Sequence, residues 1–139
     1  MFYEKELYHY LILHFPIALF ITGYLFDLVF IYKQDNFYNK CGFMLMGCGV
    51  ISGILSIITG FITDNTLVGH MDKPFPIWTT HGTHMIVSIF IFLFLLIFRY
   101  HNDKRKNQYF NKMFIVLHTL SILFFMHGAY IGAKLADRV

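Results

Sequence analysis

Four long apolar stretches, separated by short polar segments, dominate this 139-residue sequence. They cover residues 7–32, 41–63, 80–100 and 113–134. A helix needs about 20 mostly apolar residues to cross a bilayer, and each stretch is long enough. Only 14% of the residues are charged, whereas soluble domains carry about 25%. We therefore predict one transmembrane domain, residues 1–139, that folds as an all-α four-helix bundle in a lipid bilayer.

The basic residues are distributed unevenly between the two ends of the predicted helices. Seven would lie at one end: Lys33, Lys40, Arg99, Lys104, Arg105, Lys106 and Lys112. Four would lie at the other end: Lys5, Lys73, Lys134 and Arg138. Because basic residues concentrate on the cytoplasmic side of membrane proteins, we expect both termini outside the cytoplasm. Most of the aromatic residues lie inside the apolar stretches, so we expect no nucleic-acid partner.

Histidines on three predicted helices lie at a similar depth in the outer half of the membrane. His14 is about 10 Å into the first helix, and His127 is about 10 Å before the end of the fourth. His81 and His84 lie one turn apart at the start of the third helix. Ionisable residues inside a membrane are costly and by default mark a functional site. A single such histidine can simply donate a hydrogen bond to a backbone carbonyl. The prediction of a functional site therefore rests on histidines from three helices lying at a similar depth. His9 is expected at the outer surface.

Small residues form one continuous face of the second helix. They are Gly42, Gly49, Gly53, Ser56 and Gly60. Such a face lets another helix, or a flat ligand, approach the backbone closely. Either close packing of another helix or the edge of a porphyrin lying against this face would explain the small residues.

Haem b fits these features because it needs two imidazoles and an apolar slot lined by small and aromatic residues. We predict one haem with His14 and His84 as the axial pair, and with His127 or His81 as substitutes. Gly53 and Gly60 would lie beside the porphyrin. The sequence has no Cys-x-x-Cys-His motif, which excludes the usual covalent attachment of haem.

Two further ionisable residues lie deeper, toward the predicted cytoplasmic side. Asp27 is about two turns from the end of the first helix and can pair with Lys33 or with His118. A role in proton transfer is one interpretation of Asp27. His118 could instead hold a second haem, with a methionine such as Met44 or Met46 as its partner.

Three segments resemble a family of membrane proteins labelled domain of unknown function 2231. Residues 9–19 read HYLILHFPIAL, similar to a histidine-rich motif in the first helix of that family. Residues 59–64, Thr-Gly-Phe-Ile-Thr-Asp, resemble its Thr-Gly-x-x-Asp motif with one more residue before the aspartate, and residues 128–132 resemble its glycine-rich C-terminal segment. His81 or His84 would be the family's histidine in the third helix. The resemblance implies a four-helix membrane protein, for which haem binding is a suggested property.

The predicted role is electron transfer, or service as the haem-carrying membrane subunit of a respiratory complex. We expect a multi-pass protein of a prokaryotic cytoplasmic (inner) membrane, with other membrane subunits, a redox partner and quinone as possible partners. Two alternatives stay open: a cofactor-free accessory or assembly subunit, and a membrane zinc or copper site using His14, His84 and Asp64. Hydrolase motifs are absent from the sequence, so a stand-alone enzyme is less expected than an electron-transfer protein or subunit.

Overall fold

Four helices make up the computed structural model. It describes the backbone of residues 3–63, 80–102 and 108–135 and the side chains of residues 8–62, 80–102 and 111–134. The helices are α1 (Tyr3–Lys33), α2 (Asn36–Thr63), α3 (His81–Asn102) and α4 (Gln108–Leu135). Each contains an apolar span of 22 to 27 residues, long enough to cross a membrane. The predicted all-α, four-helix transmembrane fold is therefore confirmed, while the orientation of the termini stays a prediction.

Most of the helices extend beyond the apolar stretches that predicted them. The largest differences are at the starts of α2 and α4, which begin at Asn36 rather than residue 41 and at Gln108 rather than residue 113. Hydropathy detects the part of a helix that lies in hydrocarbon, but a helix can continue into the polar interface. Thr80 caps the start of α3, and its carbonyl accepts a hydrogen bond from the His84 backbone N–H at 3.3 Å.

The backbone of each helix lies beside those of two others. α1 and α3 each lie beside α2 and α4, so α1 and α3 are diagonal to each other in the bundle and meet through long side chains such as Phe20 and Phe92. Neighbouring helices run antiparallel, as the contact between His9 near the start of α1 and Thr59 near the end of α2 requires. We call the end where α1 and α3 begin the histidine end. The opposite end, where Arg99 lies, is the arginine end.

Aromatic side chains fill the middle of the bundle. The rings of Phe20 and Phe92 stack at 3.8 Å between centroids, and Phe125 packs edge-on against Phe20 at 5.4 Å. All three side chains are buried. Large apolar residues such as Phe90 and Leu123 point outward, more than 60% exposed, as expected for a surface that contacts lipid. The phenylalanine layer separates polar groups at the two ends of the bundle.

The small-residue face of α2 lies against α1 and α3. A Cβ added to Gly49 would lie 2.6 Å from Cε1 of Phe20, and one added to Gly53 would overlap the side chain of Ile89. Gly47, on another face, has only Leu96 Cδ2 at 4.0 Å from the same position. Close helix packing therefore accounts for Gly49 and Gly53.

Candidate functional site

Four histidines from three helices gather at the histidine end. His9 comes from α1, His81 and His84 from α3, and His127 from α4. The four imidazoles differ in exposure: His84 is fully buried, His9 and His81 are partly buried, and His127 is exposed. We call this group the histidine cluster.

The hydrogen bond of His9 fixes which of its ring nitrogens carries hydrogen. Nδ1 of His9 lies 3.0 Å from the Thr59 hydroxyl oxygen. That hydroxyl donates its own hydrogen to the Ser56 carbonyl at 3.0 Å, so it accepts from His9. In the neutral imidazole, the lone pair is then on Nε2. The sequence had placed His9 at the surface, and only its position opposite Thr59 assigns it to the cluster.

The two histidines of α3 are held in the same way. Nδ1 of His81 donates to the Gly128 carbonyl at 2.8 Å, and Nδ1 of His84 donates to the Thr80 carbonyl at 2.9 Å. A carbonyl can only accept, so the lone pair of each neutral ring is again on Nε2. Histidines that bind metals are typically oriented by a hydrogen bond from their other ring nitrogen.

His84 and His127 are in ring contact across the α3–α4 interface. Their centroids are 5.3 Å apart and the rings are inclined at 61°. Phe124 stacks against His84 at 5.0 Å, which fixes the plane of the buried imidazole from one side. Of the predicted site residues, these two are the histidines that the structure brings into ring contact.

His14 lies apart from this cluster. Its side chain is exposed, and Nδ1 donates to the Tyr10 carbonyl of the same helix at 2.5 Å. Phe20 of α1 faces the core, and His14 lies about 120° around the helix from it. The predicted pair His14 and His84 therefore reaches a similar depth, but the structure does not bring the two side chains together.

Glycines make room for the imidazoles of the cluster. A Cβ on Gly60 would lie 3.2 Å from Cε1 of His9, and a Cβ on Gly132 would lie 2.5 Å from Nδ1 of His81. A Cβ on Gly128 would lie 2.6 Å from Cβ of His84. Of the two glycines expected beside a porphyrin, Gly60 contacts a histidine ring, whereas Gly53 lies against Ile89.

No compact three-ligand metal site is preformed among the described side chains. Within residues 8–62, 80–102 and 111–134, no three His, Cys, Asp or Glu side chains are placed to hold one ion. Asp64, the carboxylate expected in a zinc or copper site, lies outside the described residues. The cluster supplies imidazoles only.

A second polar site, which we call the arginine network, lies at the other end of the bundle. Arg99 of α3 forms a two-pronged ion pair with Asp27 of α1, with N–O distances of 2.9 and 2.7 Å. The guanidinium also donates to the carbonyl and side-chain oxygens of Asn39 of α2, both at 2.7 Å. Arg99 is 4% exposed and Asp27 is 3% exposed, so this ion pair is buried.

His118 of α4 completes the arginine network. Its Nδ1 lies 3.1 Å from a carboxylate oxygen of Asp27, so each of the four helices contributes one residue. The predicted pairing of Asp27 with His118 is confirmed, whereas Lys33 instead donates to the Tyr38 hydroxyl at 3.3 Å. The place of a Cβ on Gly42 is taken by the Asp27 carboxylate. Glycine at this position therefore lets the carboxylate reach Arg99.

Comparison with known proteins identifies the family. The family model described as "Predicted membrane protein (DUF2231)" matches residues 8–139. The chain belongs to the DUF2231 family. The resemblance seen in the sequence is thereby confirmed, and the match includes both the histidine cluster and the arginine network of this DUF2231 protein. No curated protein and no solved structure matches the chain.

Proposed function

We propose that this DUF2231 protein binds one b-type haem at its histidine end and transfers electrons as part of a membrane complex. The observation that supports this most directly is the orientation of the cluster. Three rings donate Nδ1–H to a protein oxygen, so the basic nitrogen of each is Nε2. Imidazoles held in this way from facing helices are the usual axial ligands of b haem.

His84 and His127 are the proposed axial pair. They come from neighbouring helices and their rings are in contact, so a modest separation of α3 and α4 would place a flat group between them. The apolar lining suits a porphyrin, because Phe124 stacks on His84 and apolar side chains surround the interface. His81 and His9 act as positioning residues: His81 bonds to the Gly128 carbonyl of α4, and His9 bonds to the Thr59 hydroxyl of α2.

The donor set favours haem over zinc or copper. A structural zinc site usually has four protein ligands and a catalytic one three, whereas haem b takes two. Among the described side chains, no group of three ligands is assembled. The two imidazoles of His84 and His127 match the number of axial ligands that haem b requires.

The residues of the site have simple roles in this proposal. A haem held there would supply reversible one-electron chemistry at the iron. The Thr80 carbonyl accepts the Nδ1–H of His84 and so fixes the orientation of its ring. Gly128 lets α4 approach His84 closely, and the phenylalanine layer excludes water from the interior.

The surroundings of the site suggest its partners. Exposed lysines at the arginine end, namely Lys33, Lys40 and Lys112, favour a cytoplasmic position for that end, so the histidine end would face the extracytoplasmic side of a prokaryotic inner membrane. Quinol and an extracytoplasmic electron acceptor are suitable partners at that depth. Other membrane subunits would supply the remaining machinery of the complex.

The axial pair can be tested by electron paramagnetic resonance of the oxidised protein. Two imidazole ligands make ferric haem low-spin, so we expect a low-spin signal from the wild type. The His127→Ala variant should instead give a high-spin signal, because one axial ligand is lost. Imidazole added to the buffer should restore the low-spin signal in this variant. A His127→Ala protein that stays low-spin without imidazole would rule out His127 as a ligand.

A further inference from the structure

The arginine network contains a buried nitrogen whose hydrogen-bonding capacity is not used by the described residues. His118 is fully buried, and its Nδ1 bonds to Asp27. Its Nε2 has no hydrogen-bond partner among the described residues. Buried polar atoms nearly always have a partner, because leaving one without a partner is unfavourable. The buried Nε2 of His118 is such an exception, and we look for its explanation in the function of the protein.

The protonation state of the His118 ring follows from its neighbours. Asp27 accepts two hydrogen bonds from Arg99, which is the geometry of an ionised carboxylate. It can only accept, so Nδ1 of His118 carries the hydrogen that lies between them. In the neutral ring, Nε2 then has a lone pair.

Aromatic rings surround the imidazole. The ring centroids of Tyr24, Phe92 and Phe114 lie 5.2, 5.8 and 5.7 Å from that of His118. The Tyr24 hydroxyl is engaged elsewhere, with the Thr119 hydroxyl at 2.8 Å. Thr119 gives its own hydrogen to the Ile115 carbonyl, so Tyr24 is the donor in that pair and does not donate to His118.

The charged groups around His118 are compatible with one additional positive charge on its ring. α1 contributes the Asp27 carboxylate and the neutral Tyr24, α3 contributes the Arg99 guanidinium, and α2 contributes the uncharged Asn39. With a neutral imidazole, Asp27 and Arg99 cancel and the network has no net charge. An imidazolium would still lie 3.1 Å from the Asp27 carboxylate, which stabilises a charge at this position.

We propose that Nε2 of His118 is a proton-binding site. The network takes up one proton there from hydronium, releases water, and changes its net charge from zero to +1. Asn39, the half-buried member of the network, connects it to the surface at the arginine end. This assignment is independent of haem, which is proposed for the opposite end of the bundle.

Nitrogen-15 NMR of histidine-labelled protein in lipid nanodiscs tests this assignment. We expect one Nε2 resonance to change from the non-protonated to the protonated position as the pH of the sample is lowered from about 8 to about 5. That resonance should be missing in His118→Gln, whose amide can still donate to Asp27. If His118→Gln does not fold, contacts to the Tyr24 ring identify the resonance in the wild type.

Ser88→Ala provides the matched control. The Ser88 hydroxyl is also buried and has no hydrogen-bond partner among the described residues, but it does not titrate in this range. The variant should therefore keep the transition. The proposal is overturned if Nε2 of His118 stays non-protonated at about pH 5 in folded protein, or if Ser88→Ala abolishes the transition as His118→Gln does.

Discussion

The His84→Ala variant should purify without a haem absorption band, whereas the His14→Ala variant should keep one haem per chain. His84 is fully buried, with its Nδ1 donating to Thr80. His14 is exposed on α1 and donates to the backbone of its own helix. The two histidines lie at a similar depth, so this comparison separates position within the bundle from depth in the membrane. Haem content is measured as the pyridine haemochrome of the detergent-purified proteins.

Folding must be measured in the same samples, because His84→Ala leaves a cavity in the bundle. Helical circular dichroism and a single size-exclusion peak should match those of the wild type. If a folded His84→Ala protein keeps its haem while His14→Ala loses it, the haem lies on the outward face of α1. The histidine cluster would then have another role.

The Asp27→Ala variant should lose about 3–5 kcal/mol of its free energy of unfolding, because it leaves the Arg99 guanidinium buried without its carboxylate. The double variant Asp27→Leu/Arg99→Met should recover most of this loss. Replacing both members of a buried ion pair with apolar side chains is often neutral or stabilising. The free energies can be measured by unfolding in mixed micelles, followed by circular dichroism.

Asp35→Asn is the control for removing an acidic side chain. Asp35 is exposed and accepts a hydrogen bond from the Phe37 backbone N–H at 2.9 Å, which asparagine can also do. We expect a change within about 0.5 kcal/mol. If Asp27→Ala is as stable as Asp35→Asn, the ion pair is not buried as described.

The helices could be predicted from the sequence because a bilayer imposes a minimum apolar length. The direction in which the His14 side chain points could not be predicted. A soluble helix reveals its inward face by its apolar side chains, but α1 is apolar on the lipid side as well, with Leu11 and Phe15 both more than half exposed. Depth along a membrane helix can therefore be estimated from the sequence, while the angle around it depends on packing.

Arg99 shows a second limit of sequence reasoning. It lies near the end of α3 and was counted among the basic residues of the cytoplasmic surface. The structure buries it against Asp27, 72 positions away in the chain. A positive charge near a helix end usually extends to the interface, and the sequence contains no signal that distinguishes this arginine. The nearby glycine, Gly42, was recognised as part of a packing face but not as the residue that admits a carboxylate.

The most direct test of the proposed function is the absorption spectrum of the wild-type protein, purified in detergent from haem-sufficient cells. We predict a b-type α-band in the dithionite-reduced minus oxidised difference spectrum, with about one haem per chain, as haem b at a single two-imidazole site requires. A colourless protein that is folded and helical would contradict the haem proposal. The proton-binding assignment of His118 would be unaffected by that result.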